Sequence, residues 1–151
     1  MKKIITFLAI LLPWFLGGLL FSKNTSFYQS LQLPFFAPPG FLFPIIWTIL
    51  YILIAISIYK AYQIYHFSTL KSYNKELLCN YILNQLFPFF FFTLENIFLG
   101  FVDSVATLIT ALFVYYETKE IDKKASKFLL PYIYWCLFAC ILCITIYFMN
   151  L

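Results

Sequence analysis

A chain of 151 residues that is 64% hydrophobic, 23% aromatic and only 11% charged carries more apolar surface than one soluble core of that size can hide. Its net charge is +4, and all ten of its Lys and Arg positions are lysine. Those lysines are scattered between apolar runs rather than gathered in a patch, so they form no nucleic-acid footprint. Composition therefore excludes an ordinary soluble domain and a nucleic-acid partner, and makes membrane lipid the first partner.

A helix needs about 20 mostly apolar residues to cross a bilayer. Five such runs fit the chain, roughly 4–22, 41–65, 77–94, 97–116 and 127–149. They are apolar on every side, whereas the strands of a membrane barrel alternate. The expected fold is all-α, an integral membrane bundle of five transmembrane helices forming one domain over residues 1–151. Met1-Lys2-Lys3 ahead of the first run imitates a signal peptide, but the apolar segment 4–21 is longer than a signal core and no small-x-small cleavage site follows. A retained first helix is expected. With five spans, Lys2, Lys3, Lys60, Lys71, Lys75, Lys119, Lys123, Lys124 and Lys127 fall on or near one side, and Lys23 alone on the other. The positive-inside rule then places the N-terminus in the cytoplasm and the C-terminus outside.

Within the first span, Gly17-Gly18 predicts close approach of another helix, and Asn24-Thr25-Ser26 in the following loop matches a glycosylation sequon. The stretch 34–51 is the most informative. Pro38-Pro39-Gly40 cannot lie inside a helix, because proline lacks the N–H and clashes with the preceding turn. Pro44 is tolerated in a first turn, where that N–H would be unpaired anyway. The pattern predicts a stiff apolar lid over the mouth of a helix. Along that helix Trp47, Leu50, Tyr51 and Ile54 share one face, a stripe that fits a packed core as well as a ligand wall. Tyr59, Tyr62 and Tyr65 form an interfacial aromatic belt.

The third run contains Asn80, Asn84 and Gln85, with Phe87 and Phe91 continuing the Asn80–Asn84 stripe. Amides at membrane depth are costly unless bonded within the bundle, so this face is expected inward. A short turn at Glu95-Asn96 makes runs three and four antiparallel neighbours. Asp103 lies about two turns into run four, where a carboxylate is a functional candidate by default; a structural hydrogen bond fits equally. No lysine sits at its depth, so a protonated or helix-terminus-bonded state is expected. In the last run Tyr132, Trp135, Ala139 and Leu142 recur at helical spacing, and the small Ala139 leaves room beside the rings. Cys79, Cys136, Cys140 and Cys143 read as packing residues, and His66 is the only histidine, so no metal site is expected.

Three motifs in register resemble one family. Pro34-x-Phe36-x-Pro38-Pro39 followed by Trp47-x2-Leu50-Tyr51 is similar to the Pro-x-Trp-x-Pro-Pro…Trp-x-x-Leu-Tyr signature of the translocator protein, or tryptophan-rich sensory protein, family, also called peripheral-type benzodiazepine receptors. Asn84 and Val102-Asp103 are similar to its third-span asparagine and fourth-span Val-Asp. Pro131-Tyr132-x2-Trp135-x3-Ala139 resembles its fifth-span motif. The chain departs from the pattern at Phe36 and Phe41, which stand where the family has tryptophan, and at Leu99, where some relatives have another. Tyr147 is followed by no Lys or Arg, so the C-terminal cholesterol-recognition pattern is absent.

The resemblance implies a five-helix bundle, commonly a homodimer, with a lipophilic pocket under the first loop for porphyrins such as protoporphyrin IX and other haem-pathway intermediates. Carried over by position, it implies ligand contacts at Phe36, Pro39, Phe41, Trp47, Tyr51, Asn84, Phe87, Leu99, Trp135, Ala139 and Leu142, and a structural or coupling role for Asp103. Trp47 and Trp135 match the two tryptophans linked to porphyrin binding and its light- and oxygen-dependent breakdown, which makes them the candidate catalytic residues. The leading expectation is a membrane receptor or sensor for a porphyrin-type ligand; porphyrin photodegradation and lipophile transport are the alternatives. No covalent cofactor is expected. Lysine-only cations with abundant Phe, Ile and Asn suggest an AT-rich bacterial genome, and hence a bacterial plasma membrane.

Overall fold

The computed structural model describes residues 2–21 and 25–151, and every regular element among them is helical. Eight α-helices follow in order: α1 Lys2–Leu11, α2 Leu16–Leu20, α3 Thr25–Ser30, α4 Leu42–Ile64, α5 Lys71–Pro88, α6 Ile97–Ile121, α7 Lys123–Lys127 and α8 Leu130–Met149. A 3-10 turn, Leu12–Phe15, joins α1 to α2. A π-helical run, Phe89–Thr93, continues α5. Lys23 and the sequon asparagine Asn24 lie outside the described residues.

Among the described residues, four stretches are long and apolar enough to cross a bilayer: Lys2–Leu20, Leu42–Ile64, Ile97–Ile121 and Lys123–Met149. The expected third crossing does not meet that standard. Its helix, α5, begins with Lys71, Asn74, Lys75 and Glu76 and carries Asn80, Asn84 and Gln85 further on. Two other expectations shift as well. The first loop, read as irregular, contains α3. The charge-dense segment after residue 116 is helical, as the end of α6 and then α7, with the break at Asp122, whose carboxylate accepts from the Lys124 amide at 2.7 Å.

The first helical column changes partner halfway. Pro13 has no N–H to give to the turn below it, and the backbone there tightens into the 3-10 turn. Below the break α1 packs on α4; above it α2 packs on α5. Gln85 holds the new contact: its Nε2 donates to the Trp14 carbonyl at 3.2 Å, and its Oε1 accepts from the Gly17 amide. The Tyr81 hydroxyl donates to the Pro13 carbonyl at 3.0 Å. Polar side chains of α5 thus find their partners on the backbone of the turn, inside the bundle, as a bilayer demands. Gly17 is required at this approach, since a Cβ there would lie 2.8 Å from the Gln85 carbonyl oxygen.

α6 is the central helix and packs most extensively on α8 and α5. A Cβ at Gly100 would lie 2.7 Å from the Phe91 ring, so the small residue admits the π-helical run. The chain reverses over three residues: Glu95 adopts φ 49°, and the Asn96 side chain caps α6 by accepting from the Leu99 amide at 2.9 Å. α5 and α6 are antiparallel neighbours, as the short turn predicts.

Replacing Gly17 with valine should lower stability by about 1–3 kcal/mol, because the new side chain meets the Gln85 backbone as well as its amide group. Gly40→Ala should cost nothing comparable, the nearest atom being Tyr28 Cδ1 at 3.9 Å. Thermal unfolding in detergent, followed by circular dichroism, separates the two; equal midpoints would refute the close-approach account.

Candidate ligand-binding cavity

The segment between α3 and α4 is a lid built from turns. The Ala37 amide donates to the Pro34 carbonyl and the Leu42 amide to the Pro39 carbonyl, both at 2.9 Å. Tyr28 of α3 is only 4% exposed; its hydroxyl donates to the Pro38 carbonyl at 3.0 Å and its ring meets Phe43 edge-on at 5.4 Å. Burial pushes the pKa of the Tyr28 phenol above its ordinary value, with a smaller contribution from Cys143. At the other end, Gln32 and Asn150 exchange two hydrogen bonds, of 2.9 and 3.0 Å, which tie the lid to the end of α8.

Beneath the lid lies a cavity of about 650 Å³. Trp47 and Tyr51 of α4 line it, together with Trp135, Ala139 and Leu142 of α8. The rings brace one another. Trp47 stands edge-on to Trp135 at 6.4 Å and tilts against Tyr51 at 5.4 Å, while Trp135 is backed by Phe138 at 5.2 Å and Phe43 at 6.1 Å. Such offset and perpendicular pairs suit the ring quadrupoles. The indoles are therefore held in place before any ligand arrives.

Nine of the eleven residues expected at the ligand share this one cavity: Pro39, Phe41, Trp47, Tyr51, Asn84, Phe87, Trp135, Ala139 and Leu142. Phe36 does not line it. Its ring sits in the lid's own cluster, 5.4 Å from Phe35 and 6.2 Å from Phe138. Leu99 does not either; it lies in the first turn of α6 with 36% of its surface exposed. Asp103 is buried at 4% exposure but is not part of the wall, although Ser104 and Thr107 are. Neither Asp103 carboxylate oxygen has a hydrogen-bond partner among the described residues, so of the two states expected, protonated or bonded to a helix terminus, the second is not formed.

Phe43, Phe91, Cys136 and Cys143 also line the cavity, and none was singled out for it. A signal was present: Cys136, Ala139, Cys143 and Ile146 follow the same helical spacing as the residues chosen on α8. All four cysteines are unpaired thiols, Cys79 exposed and the other three buried.

The floor is a hydrogen-bonded amide network. Asn84 Oδ1 accepts from the Tyr51 hydroxyl at 3.0 Å and from Gln85 Nε2 at 3.2 Å, while its Nδ2 donates to the Tyr132 hydroxyl at 3.3 Å. Tyr132 donates in turn to Asn80 Oδ1 at 3.1 Å. Asn80 Nδ2 donates to the Thr107 carbonyl and to Thr110 Oγ1, both at 3.0 Å. With these groups engaged internally, the cavity offers aromatic faces and few free polar anchors. That suits a flat lipophile held in a preformed site.

A helical integral membrane protein with a lidded, aromatic, ligand-sized cavity is the class that these features define. The sequence profile of the TspO/MBR family matches residues 5–149. The chain is 38% identical to the uncharacterized membrane protein YtaB of Bacillus subtilis over the full length of both. It is 36% identical to the tryptophan-rich protein TspO of Bacillus cereus, with 99% of each chain covered, and 34% identical to that of Archaeoglobus fulgidus, covering 99% of this chain and 97% of the relative. The chain belongs to the TspO/MBR family.

Asn80→Ala should destabilise the ligand-free protein by about 1–3 kcal/mol, because the Tyr132 O–H loses its acceptor in a dry interior and the Thr107 carbonyl loses one of its donors. Adding Tyr132→Phe should cost less than the two single losses together. Additive unfolding free energies would mean that the network is not one unit.

Proposed function

We propose that this chain is a five-span membrane receptor that binds a porphyrin-type lipophile against Trp47 and Trp135. The observation that carries the reading is the pair of braced indoles, 6.4 Å apart, on the wall of an apolar cavity of about 650 Å³. That volume falls inside the range of about 300–1,000 Å³ usual for small-molecule sites. Relatives bearing the name tryptophan-rich protein TspO support the same direction.

In this reading α5 and its π-helical continuation make the fifth crossing. From Lys71 to Thr93 they span roughly 34 Å at 1.5 Å per residue, enough for a hydrocarbon core of about 30 Å. Their amides need no lipid-facing partner because Asn80, Asn84 and Gln85 bond within the bundle. The lysines at the α1, α4–α5 and α6–α7 ends then mark the cytoplasmic face of a bacterial plasma membrane, with the lid outside.

Protoporphyrin IX titrated into the purified protein should quench tryptophan fluorescence saturably. Trp47→Ala and Trp135→Ala should each weaken binding about tenfold, the ~1.4 kcal/mol of one lost stacking partner. Unchanged affinity in both variants sinks the reading. The same indole pair favours a second activity, photosensitised oxidation of the bound pigment with oxygen as oxidant. Under aerobic illumination the wild-type complex should lose pigment faster than a Trp47→Phe/Trp135→Phe variant of equal occupancy, and equal loss would dismiss it.

A further inference from the structure

The break at Pro13 leaves a second opening on the lysine-bearing half of the molecule. α1 packs chiefly on α4, while the 3-10 turn and α2 meet α5, which leaves an opening between α1 and α5 below the break. The gap between them is a groove of about 530 Å³. Its floor is Ile58 and Tyr62 of α4; Ile10, Pro13 and Trp14 form one side and Leu77, Leu78 and Tyr81 the other. Leu78 is 56% exposed, so the groove opens toward the surface that faces lipid.

The polar atoms of this groove are engaged with one another. The Tyr62 hydroxyl donates to Asn74 Oδ1 at 2.7 Å, Asn74 Nδ2 donates to the Phe67 carbonyl at 2.7 Å, and Tyr81 donates to the Pro13 carbonyl at 3.0 Å. Among the described residues Lys75 is the only charged one on the wall, and no carboxylate of theirs lines it. It sits at the end where Tyr62 and Phe67 mark the interface. From Lys75 to Tyr81 the groove follows α5 for about 9 Å, roughly a third of the hydrocarbon core. An apolar trough with one cation at its interfacial mouth is complementary to one shape of molecule: an acyl chain under an anionic head.

We propose that this groove is a binding site for one anionic phospholipid, its acyl chain along Ile10 and Leu78 and its phosphate at Lys75. An acyl chain gains no hydrophobic driving force by leaving bulk lipid for a protein groove, so selectivity rests on the charge. Lys71, one turn earlier on α5, adds to the same field.

The test uses the full chain reconstituted in bilayers, with Trp47→Phe/Trp135→Phe leaving Trp14, in the groove wall, as the sole indole. Phosphatidylglycerol with a brominated acyl chain should quench Trp14 at about fivefold lower mole fraction than brominated phosphatidylcholine, the preference that one lysine near an anionic surface supplies at ~1 kcal/mol. Lys75→Gln should erase the difference, whereas Lys119→Gln, which removes the same charge from the last turn of α6, should leave it. In the unsubstituted protein, a nitroxide-labelled phosphatidylglycerol should show a larger motionally restricted fraction than its phosphatidylcholine counterpart, independently of the tryptophan replacements. Equal behaviour of the two lipids in both experiments overturns the proposal, as does a Lys119→Gln effect matching that of Lys75→Gln.

Discussion

Everything in this bundle depends on where the amides of α5 send their hydrogen bonds. A bilayer offers no water to a stranded carbonyl or side-chain amide, yet Asn80, Asn84 and Gln85 are all buried. Each is satisfied by reaching another helix. Gln85 reaches the broken column of α1 and α2, Asn84 reaches Tyr51 of α4 and Tyr132 of α8, and Asn80 reaches α6. One polar stripe thus joins the elements that surround the cavity, and it sets their relative height as well as their contact. Apolar packing alone specifies such register weakly in lipid, where the tails compete on equal terms for every hydrophobic face.

The same stripe explains what was legible in the sequence and what was not. Amides at helical spacing in an apolar run announced an inward face, and Asn84 lies where that face predicts. Together with Lys71, Lys75 and Glu76 they also depress the apolarity of α5, which keeps it below the standard that the other long helices meet. Trp47 and Trp135 were legible because each sits on a stripe of one helix, and stripes are local. Whether two stripes meet is a tertiary matter that the spacing cannot decide. Phe36 and Leu99 show the limit. Both were placed by resemblance to tryptophans of relatives. Phe36 instead joins the lid's own packing, while Leu99 lies in an exposed first turn. Tyr28 carried no recognisable motif, yet it supports the lid through a single hydroxyl bond.

The lid itself is rigid for reasons independent of any ligand. Its prolines restrict the backbone, two turns close on those prolines, and the Gln32–Asn150 pair ties it to the last residues of α8. A cavity roofed in this way keeps its shape when empty, and less of the binding energy is spent on ordering the site.

Trp14 sits where the two openings come closest. Its ring lies 5.8 Å from Tyr51, a wall of the lidded cavity, and 5.2 Å from Tyr81, a wall of the lysine-side groove. The indole is therefore a party wall, 3% exposed and packed on both sides. Close-packed interiors pass displacements on rather than absorbing them, so swelling one compartment presses on the other through this ring. Any coupling between the two compartments through this ring would be equal in both directions. With the proposed lipid in the groove and the proposed ligand under the lid, such coupling would link the lipid composition of one leaflet to a site facing the other.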